Sequence, residues 1–332
     1  MRIPRQIALE LSTLCNLKCT LCPTRDESMQ RSDTGNMETE FVYSIVDRII
    51  AEHMDTSLTL SVNGESLLHP DIVKILRYIT DRNIACYLTT NSSIYHPELF
   101  DLMTEKNSFY QLIFSVAGLY DPRSSAIEKG MPGLDRDVSK RNIETFIDLW
   151  QRKGKNLELG IKTCRRGQGQ EELEHLIEYW LEKGVSFVAI GRPLSDTTGG
   201  MPMYPCRYFD DMAMFVRTNG TVLPCTYNVK VANEHAIEIG KLGMTESLIE
   251  LYNNAEYREL RRKHYAGAFP YPCNTCGVVY NGDGFIGTAQ FRNRNMSQRM
   301  IYWHDDYSNT FYSYEPKKIG VSHRREWEPD TP

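Results

Sequence analysis

Short apolar segments alternate with amphipathic helical segments from Ile7 to Arg192, and this alternation constrains the fold most. Six strands are predicted, at Ile7–Leu11, Leu58–Val62, Ala85–Leu88, Leu112–Val116, Leu157–Ile161 and Phe187–Ile190. The helices predicted between them include Glu40–Met54, Asp71–Arg82, Lys140–Gln151 and Glu171–Glu182. Repeated strand–helix units with apolar strands are typical of a parallel sheet. Six units are too few for a closed eight-stranded barrel, so we predict an α/β fold that begins with a partial (β/α)6 TIM-like barrel.

Three cysteines follow the first predicted strand, namely Cys15, Cys19 and Cys22, at C-x3-C-x2-C spacing. Thiolates this close in sequence can wrap one face of an iron–sulfur cube. The loop supplies three sulfurs and no fourth, so a four-iron cluster held here keeps one iron open to an outside ligand. Zinc is the alternative, but zinc normally takes four protein ligands, or three and a water, usually with paired C-x2-C spacing. The position after a strand predicts that the loop lies at the C-terminal end of the barrel, where chemistry gathers in such folds.

The cysteine spacing resembles the signature of the radical S-adenosylmethionine (SAM) superfamily. This resemblance implies that the open iron takes the amino and carboxylate groups of SAM. It also implies that an electron from the cluster cleaves the sulfonium and yields a 5′-deoxyadenosyl radical. The partial barrel predicted from the strand–helix pattern is the fold that the resemblance implies as well.

Polar residues after later strands are candidates for contacting SAM. Asn63-Gly64-Glu65-Ser66 follows the second predicted strand, where the superfamily has a Gly-Gly-Glu-Pro-like segment that binds the amino group of the cofactor. A carboxylate suits an ammonium, and glycine allows close approach of the backbone to a ligand. An ordinary strand-to-helix turn is the alternative. By resemblance or position, the further candidates are Asn91, Ser115 and Arg192. For Ser115 the alternative is a satisfied hydroxyl in a buried strand.

A second set of cysteines lies nearer the C-terminus, with Cys206 and Cys225 in the pattern C-x13-G-x4-C and Cys273 and Cys276 as C-x2-C. It resembles the twitch domain, a shortened SPASM domain that carries one auxiliary four-iron cluster. A hairpin with Asn-Gly at its turn is predicted to present the first pair, and a helix over Ala255–His264 to return the chain for the second. A zinc ribbon is the alternative, but its pairs are narrower than the first pair here. No cysteine follows Cys276, so a second auxiliary cluster is excluded by count.

Three segments are predicted from these patterns: the barrel over residues 1–200, a small α+β twitch domain over 201–280, and a stretch over 281–332 that is either a lid or a tail. The turn-rich segment Asp196–Pro202 forms the first boundary. The last stretch is rich in Tyr, Arg, Asn and His and poor in aliphatic residues.

Composition excludes several classes of partner. The net charge of −5 argues against a nucleic-acid-binding surface, and no apolar run approaches the length of a membrane span. The first strand begins close to Met1, so no signal peptide is expected. Seven of the nine cysteines fall into the two ligand sets, which favours metal binding over disulfides. A cytoplasmic location is therefore predicted, because exposed clusters degrade in oxygen.

The four-cysteine auxiliary site indicates the kind of reaction. Four ligands close the coordination sphere, so this cluster suits electron transfer, as in the aminocyclitol dehydrogenases of the superfamily. We therefore expect oxidation of a small-molecule substrate, namely a sugar, aminocyclitol or nucleoside, with SAM, two [4Fe-4S] clusters and an electron donor such as flavodoxin or ferredoxin. The alternatives are a radical epimerase, a carbon–carbon coupling enzyme, a peptide-modifying maturase and a non-catalytic iron–sulfur scaffold.

Two cysteines remain outside both ligand sets. Cys86 lies within the third predicted strand and is expected to pack in the core. Cys164 ends the segment Leu159–Cys164 and is predicted to lie at the C-terminal end of the fifth strand. A thiol there can return a hydrogen atom to a substrate radical from the opposite face, which is the chemistry of a related epimerase. Simple packing at the barrel mouth is the alternative.

Overall fold

The fold is described from a computed structural model. The described residues are 1–19, 22, 34–116, 133–154, 156–164, 170–191, 213–225, 236–275, 287–292, 299–301, 303–305, 310–312 and 318–321. Three residues of the predicted sites lie outside them, namely Arg192, Cys206 and Cys276. Cys164 is described by its backbone alone.

Six parallel strands form the centre of the main sheet, as predicted. They are β1 (Gln6–Leu9), β2 (Ser57–Thr59), β3 (Cys86–Thr90), β4 (Phe109–Ser115), β5 (Glu158–Cys164) and β6 (Phe187–Gly191). Each strand pairs in parallel with the next one along the chain. The helices between them are α1 (Thr39–Ala51), α2 (Ile72–Asp81), α3 (Pro97–Glu105), α4 (Arg136–Arg152) and α5 (Gln170–Glu182). The four predicted helices are confirmed; α3, with proline in its first turn, is additional.

One face of this sheet packs against the helices. Helix α1 shows the cause, because its apolar side chains recur at helical spacing and are buried: Phe41, Val42, Ile45, Val46 and Ile49. On β4, Phe114 meets Phe100 of α3 and Phe146 of α4 edge to face. The alternate residues of each strand lie on the opposite face, which we call the inner face. On β4 and β5 these residues are Gln111, Ile113, Ser115, Glu158, Gly160 and Lys162.

The predicted hairpin is present as β7 (Ala213–Val216) and β8 (Thr221–Leu223), which pair antiparallel. Gly220 closes the turn with φ of +85°, and a Cβ there would lie 2.3 Å from the carbonyl oxygen of Leu242. Strand β7 also pairs in parallel with β1, so the hairpin continues the barrel sheet beyond its first strand. Strand β9 (Gly240–Lys241) pairs with β8.

Two short helices follow, α6 (Leu248–Tyr252) and α7 (Ala255–Tyr265), and α7 confirms the predicted helix. The stretch predicted as a lid or tail contributes strands. Strand β10 (Gly287–Arg292) pairs antiparallel with β6 and with β11 (Arg299–Ile301). A separate sheet contains β12 (Trp303–Asp305), β13 (Thr310–Tyr312) and β14 (Lys318–Val321). The three-segment domain division stays a prediction. Over the described ranges, no helix has the length and apolar character needed to cross a membrane.

Candidate active site

The turn after β2 packs directly against the cysteine loop. Gly64 has φ of +64°, and a Cβ on it would lie 2.4 Å from the Ser12 carbonyl oxygen and 2.7 Å from that of Leu14. The next residue, Glu65, donates its backbone N–H to the Leu14 oxygen at 2.7 Å. From the sequence, Gly64 was predicted to allow the backbone to approach a ligand closely. In the structure, the close approach of Gly64 is to the backbone that precedes Cys15.

Glu65 lies beneath this turn with 2% of its surface exposed. Its carboxylate accepts hydrogen bonds from the backbone N–H of Asn91 at 2.7 Å, the Thr90 hydroxyl at 3.0 Å and the Leu67 N–H at 3.1 Å. Burial raises the pKa of Glu65, and the three hydrogen bonds oppose that rise. No cationic side chain pairs with it in the described part of the chain. A buried carboxylate with donors but no counter-charge fits the ammonium of SAM.

Glu65→Gln is expected to weaken SAM binding about 10- to 100-fold without loss of iron, because one charge-assisted hydrogen bond is worth roughly 1.5–3 kcal/mol. The glutamine amide would also turn a donor toward a site where all three protein partners are donors. Equilibrium dialysis of reconstituted protein with SAM, together with iron assay, measures both quantities. Glu98→Gln, on the exposed surface beside Arg77, is the matched control. Unchanged SAM affinity in Glu65→Gln would refute the assignment.

The cysteine loop places its first thiol against β3. The Cys15 sulfur accepts the Leu17 N–H at 3.4 Å and the side-chain amide of Asn91 at 3.7 Å. Although Cys15 is exposed by area, surrounding protein raises the pKa of its thiol by burial, and both hydrogen bonds oppose this effect. The Cys22 N–H donates to the Cys19 carbonyl oxygen at 3.1 Å, which forms a tight turn between those two residues.

The three thiols share one loop but are not gathered at a metal-binding position. Across the described ranges, no group of three or more His, Cys, Asp or Glu side chains is arranged to hold a metal ion. The donor chemistry still fits an iron–sulfur cluster, because one eight-residue segment offers three thiols. The sulfur of Cys15 already accepts N–H donors of the kind that surround cluster sulfurs.

Glu10 is a site residue that the sequence did not indicate. It lies just beyond β1 with 1% of its surface exposed. One carboxylate oxygen accepts the Asn63 side-chain amide at 2.8 Å, and the other accepts the Thr218 N–H at 3.3 Å. Asn63, predicted as a cofactor contact, therefore has its amide directed at Glu10. The carboxylate joins the turn after β2 to the turn of the β7–β8 hairpin. An acidic residue between two buried leucines was the available sequence signal.

Lys162 is a second residue that the sequence did not indicate. It is the register neighbour of Ser115 on the inner face, near the C-terminal ends of β4 and β5. Its ammonium has no hydrogen bond or ion pair with any residue that the structure describes. Ser115, predicted to contact the cofactor, is half-buried at the end of β4. A serine hydroxyl and a lysine therefore stand side by side where a polar ligand would approach the barrel.

The second cysteine set is described in part. Cys225 lies just after β8 and Cys273 opens a 3₁₀ turn at Cys273–Thr275; both are partly buried. Cys206 and Cys276 lie outside the described residues, so the predicted four-sulfur site stays a prediction. Cys86 is buried in the core, which confirms its predicted packing role.

Comparison with known proteins identifies the class. The model of the radical SAM superfamily matches residues 9–179, more than half of the chain. The chain therefore belongs to the radical SAM superfamily, whose members use SAM and an iron–sulfur cluster. Within that class it carries a SPASM iron–sulfur cluster-binding domain, matched over residues 206–277. This domain implies further iron–sulfur binding.

The similar proteins differ in what they do. AdoMet-dependent heme synthase of Methanosarcina barkeri is 27% identical over 168 residues, and its counterpart in Nitratidesulfovibrio vulgaris is 24% identical over 165. These alignments span 46% and 43% of those proteins and 45% and 44% of this chain, so each curated relative is matched over less than half of its length. SuiB of Streptococcus suis, bound to its precursor peptide SuiA, shares the fold with a TM-score of 0.61 at 16% identity, over 84% of this chain and 70% of SuiB. The structure of anSMEcpe with AdoMet shares the fold with a TM-score of 0.59 at 18% identity, over 78% of this chain and 83% of anSMEcpe.

Proposed function

We propose that this chain is a radical SAM oxidoreductase that acts on a small polar substrate, namely a sugar, aminocyclitol or nucleoside. In this proposal Cys15, Cys19 and Cys22 hold the [4Fe-4S] cluster that binds SAM. The auxiliary [4Fe-4S] cluster is held by the second set: Cys206, Cys225, Cys273 and Cys276. When bound, SAM and the first cluster supply a 5′-deoxyadenosyl radical, which removes a hydrogen atom from an unactivated carbon.

The chain's own residues bind and orient the reactants. Glu65 holds the ammonium of SAM through a buried carboxylate whose other partners are all donors. Ser115 remains a candidate contact for the ribose, and Asn63, Asn91 and Arg192 remain proposed cofactor contacts. Lys162 offers an ammonium to a carboxylate, phosphate or hydroxyl group of the ligand that enters the barrel beside Ser115.

The observation that carries the substrate class is the polar character of the inner face. Thr59 pairs with Tyr87, and Gln111 donates to Glu158 across β4 and β5 at 3.1 Å. Lys162 lies farther along β5 toward its C-terminal end. Gln111 and Glu158 lie near the N-terminal ends of their strands, and Ile113 and Gly160 separate them from Ser115 and Lys162. The polar pair at the C-terminal end of the barrel is therefore Ser115 and Lys162, and these two groups favour a substrate with several hydrogen-bonding groups over an apolar one.

Oxidation requires that a second electron leave the substrate. Removal of a hydrogen atom beside a hydroxyl group leaves a carbon radical; loss of one proton and one electron then yields a ketone. The proton would pass to solvent or a nearby base, and a cluster held by Cys206, Cys225, Cys273 and Cys276 would accept the electron. An electron donor such as flavodoxin or ferredoxin supplies the single electron that SAM cleavage consumes.

A radical epimerase is the second candidate, because Cys164 ends β5 two residues beyond Lys162 and opposite Gly191 of β6. In that reaction the thiol returns a hydrogen atom to the opposite face of the substrate radical, so the substrate undergoes no net oxidation. A peptide substrate is a further alternative, since the SuiB fold that this chain shares is seen with a precursor peptide. The heme synthases among the relatives add heme synthesis to the alternatives.

The test is anaerobic incubation of reconstituted protein with dithionite and SAM, with candidate substrates added in D2O. Release of 5′-deoxyadenosine and a ketone product without solvent deuterium at the reacting carbon are expected. Normal turnover of Cys164→Ala would agree with that result. One deuterium at an inverted carbon, lost in Cys164→Ala, would establish the epimerase instead. If fully loaded protein releases no 5′-deoxyadenosine, that result would contradict both the oxidoreductase and the epimerase and would favour an iron–sulfur scaffold.

A further inference from the structure

Asn91, the residue directly after β3, is held in place from two sides. Its backbone N–H donates to Glu65 at 2.7 Å. Its side-chain oxygen accepts the Ser93 N–H at 3.0 Å and the Ser93 hydroxyl at 2.5 Å. These bonds fix which end of the amide faces Ser93. The opposite end, Nδ2, faces the cysteine loop.

The Nδ2 group donates to two acceptors of that loop, the Asn16 side-chain oxygen at 3.1 Å and the Cys15 sulfur at 3.7 Å. Reversing the amide would set its oxygen against two acceptors and its N–H groups against the Ser93 N–H. The hydrogen-bond network therefore determines the orientation. Asn16 supports it, because its own amide donates to the Ser93 hydroxyl at 2.9 Å.

We propose that Asn91 is a positioning residue whose amide N–H donates to the Cys15 sulfur and raises the reduction potential of the cluster held by that loop. Reduction adds negative charge, which spreads onto the ligand sulfurs, and a hydrogen-bond donor at a sulfur stabilises that charge. The backbone N–H of Leu17 donates to the same sulfur at 3.4 Å and acts in the same direction. This inference rests on the proposed function in one respect, namely that Cys15 is a cluster ligand.

The arrangement also joins cofactor binding to the cluster. The backbone N–H of Asn91 donates to the Glu65 carboxylate, and its side-chain amide donates to the cysteine loop. The side chain that sets the potential is therefore held by the carboxylate that we assign to the SAM ammonium. Asn91 stays a proposed cofactor contact, and its side chain donates to Cys15 and Asn16 and accepts from Ser93.

The test is an EPR-monitored redox titration of reconstituted enzyme. The N-terminal cluster is identified by the signal that is missing when Cys15, Cys19 and Cys22 are all replaced by alanine. We expect its midpoint potential to be lower in Asn91→Ala than in the parent. It should be lower still in Asn91→Asp, which keeps the shape but replaces the donor by an anionic acceptor. Ser93→Ala is the matched control, since it removes the hydroxyl that donates to the Asn91 side-chain oxygen but keeps the Ser93 N–H that orients the amide and the donor at Cys15.

The auxiliary cluster is the internal reference and should keep its potential in every variant. An unchanged potential of the N-terminal cluster in Asn91→Ala and Asn91→Asp would overturn the proposal, as would an equal shift in Ser93→Ala. Failure of both Asn91 variants to load iron would assign Asn91 to loop scaffolding and also overturn it. The titration needs no turnover. A protein that releases no 5′-deoxyadenosine yet shows the shift would therefore contradict the proposed function alone.

Discussion

Replacement of Cys15, Cys19 and Cys22 together by alanine should abolish release of 5′-deoxyadenosine and lower bound iron from about eight to about four per chain. In the proposed function the radical reaction depends on the cluster held by these three cysteines, which leaves one iron open to SAM. The second cysteine set is separate in sequence and should retain its own cluster. The loss of activity is expected to be complete, because no other cysteine lies near the loop in sequence.

Iron and sulfide assay after anaerobic reconstitution, with chromatographic detection of 5′-deoxyadenosine, measures both effects. Cys86→Ala is the matched control, since Cys86 is buried in the core on β3 and belongs to neither set. It should keep about eight irons. Residual 5′-deoxyadenosine in the triple variant would contradict the assignment of the loop. Tight zinc at the second site after anaerobic purification would contradict the auxiliary cluster.

The barrel was predictable because its signals are local. Each parallel strand contains buried apolar residues within a short segment, and each confirmed helix shows a buried stripe at helical spacing, as α1 does. The β7–β8 hairpin was predictable from its Asn-Gly turn, since Gly220 adopts a positive φ that other residues rarely take. Helix α3 was less visible, because it has nine residues and begins at Pro97 after an extended segment.

The contacts that build the site were not predictable, because they join residues far apart in the chain. Glu10 meets Asn63 across 53 positions and Thr218 across 208. The sequence shows an acidic residue between two leucines but not the partners of its carboxylate. Asn91 was placed near the cofactor by its position after a strand. Its bond to Cys15 spans 76 positions and depends on how three loops meet.

The pairing of β7 with β1 was not predictable for the same reason, because it too joins residues far apart in the chain. A four-residue apolar run such as Ala213–Val216 reads as a hairpin strand from its local sequence. That it also continues a parallel sheet depends on an exposed edge of β1, which only the folded barrel creates. Likewise, the local sequence of β10 does not reveal its pairing partner, because β6 lies about a hundred residues earlier.

Gly64→Ala should be the most damaging single substitution in the site. The residue has φ of +64°, which costs an L-residue roughly 1–2 kcal/mol. The new Cβ would also stand 2.4 Å from the Ser12 oxygen and 2.7 Å from the Leu14 oxygen. Both are backbone atoms, so no side chain can rotate away. The cysteine loop must therefore move, and overpacking of this kind destabilises the fold by roughly a further 1–3 kcal/mol.

The displacement should disturb the cluster site of the cysteine loop in particular, because the Glu65 N–H donates to the Leu14 carbonyl oxygen in the same contact. We expect Gly64→Ala to lower the thermal midpoint and to load about four irons instead of about eight. Gly267→Ala is the matched control, since Gly267 has a similar φ of +71° but nothing within 4 Å of its Cβ position. It should share only the conformational cost and keep its full iron. Differential scanning calorimetry and iron assay on both variants decide the matter. Equal destabilisation and equal iron loading in the two would mean that the contact between Gly64 and the cysteine loop does not hold the cluster site together.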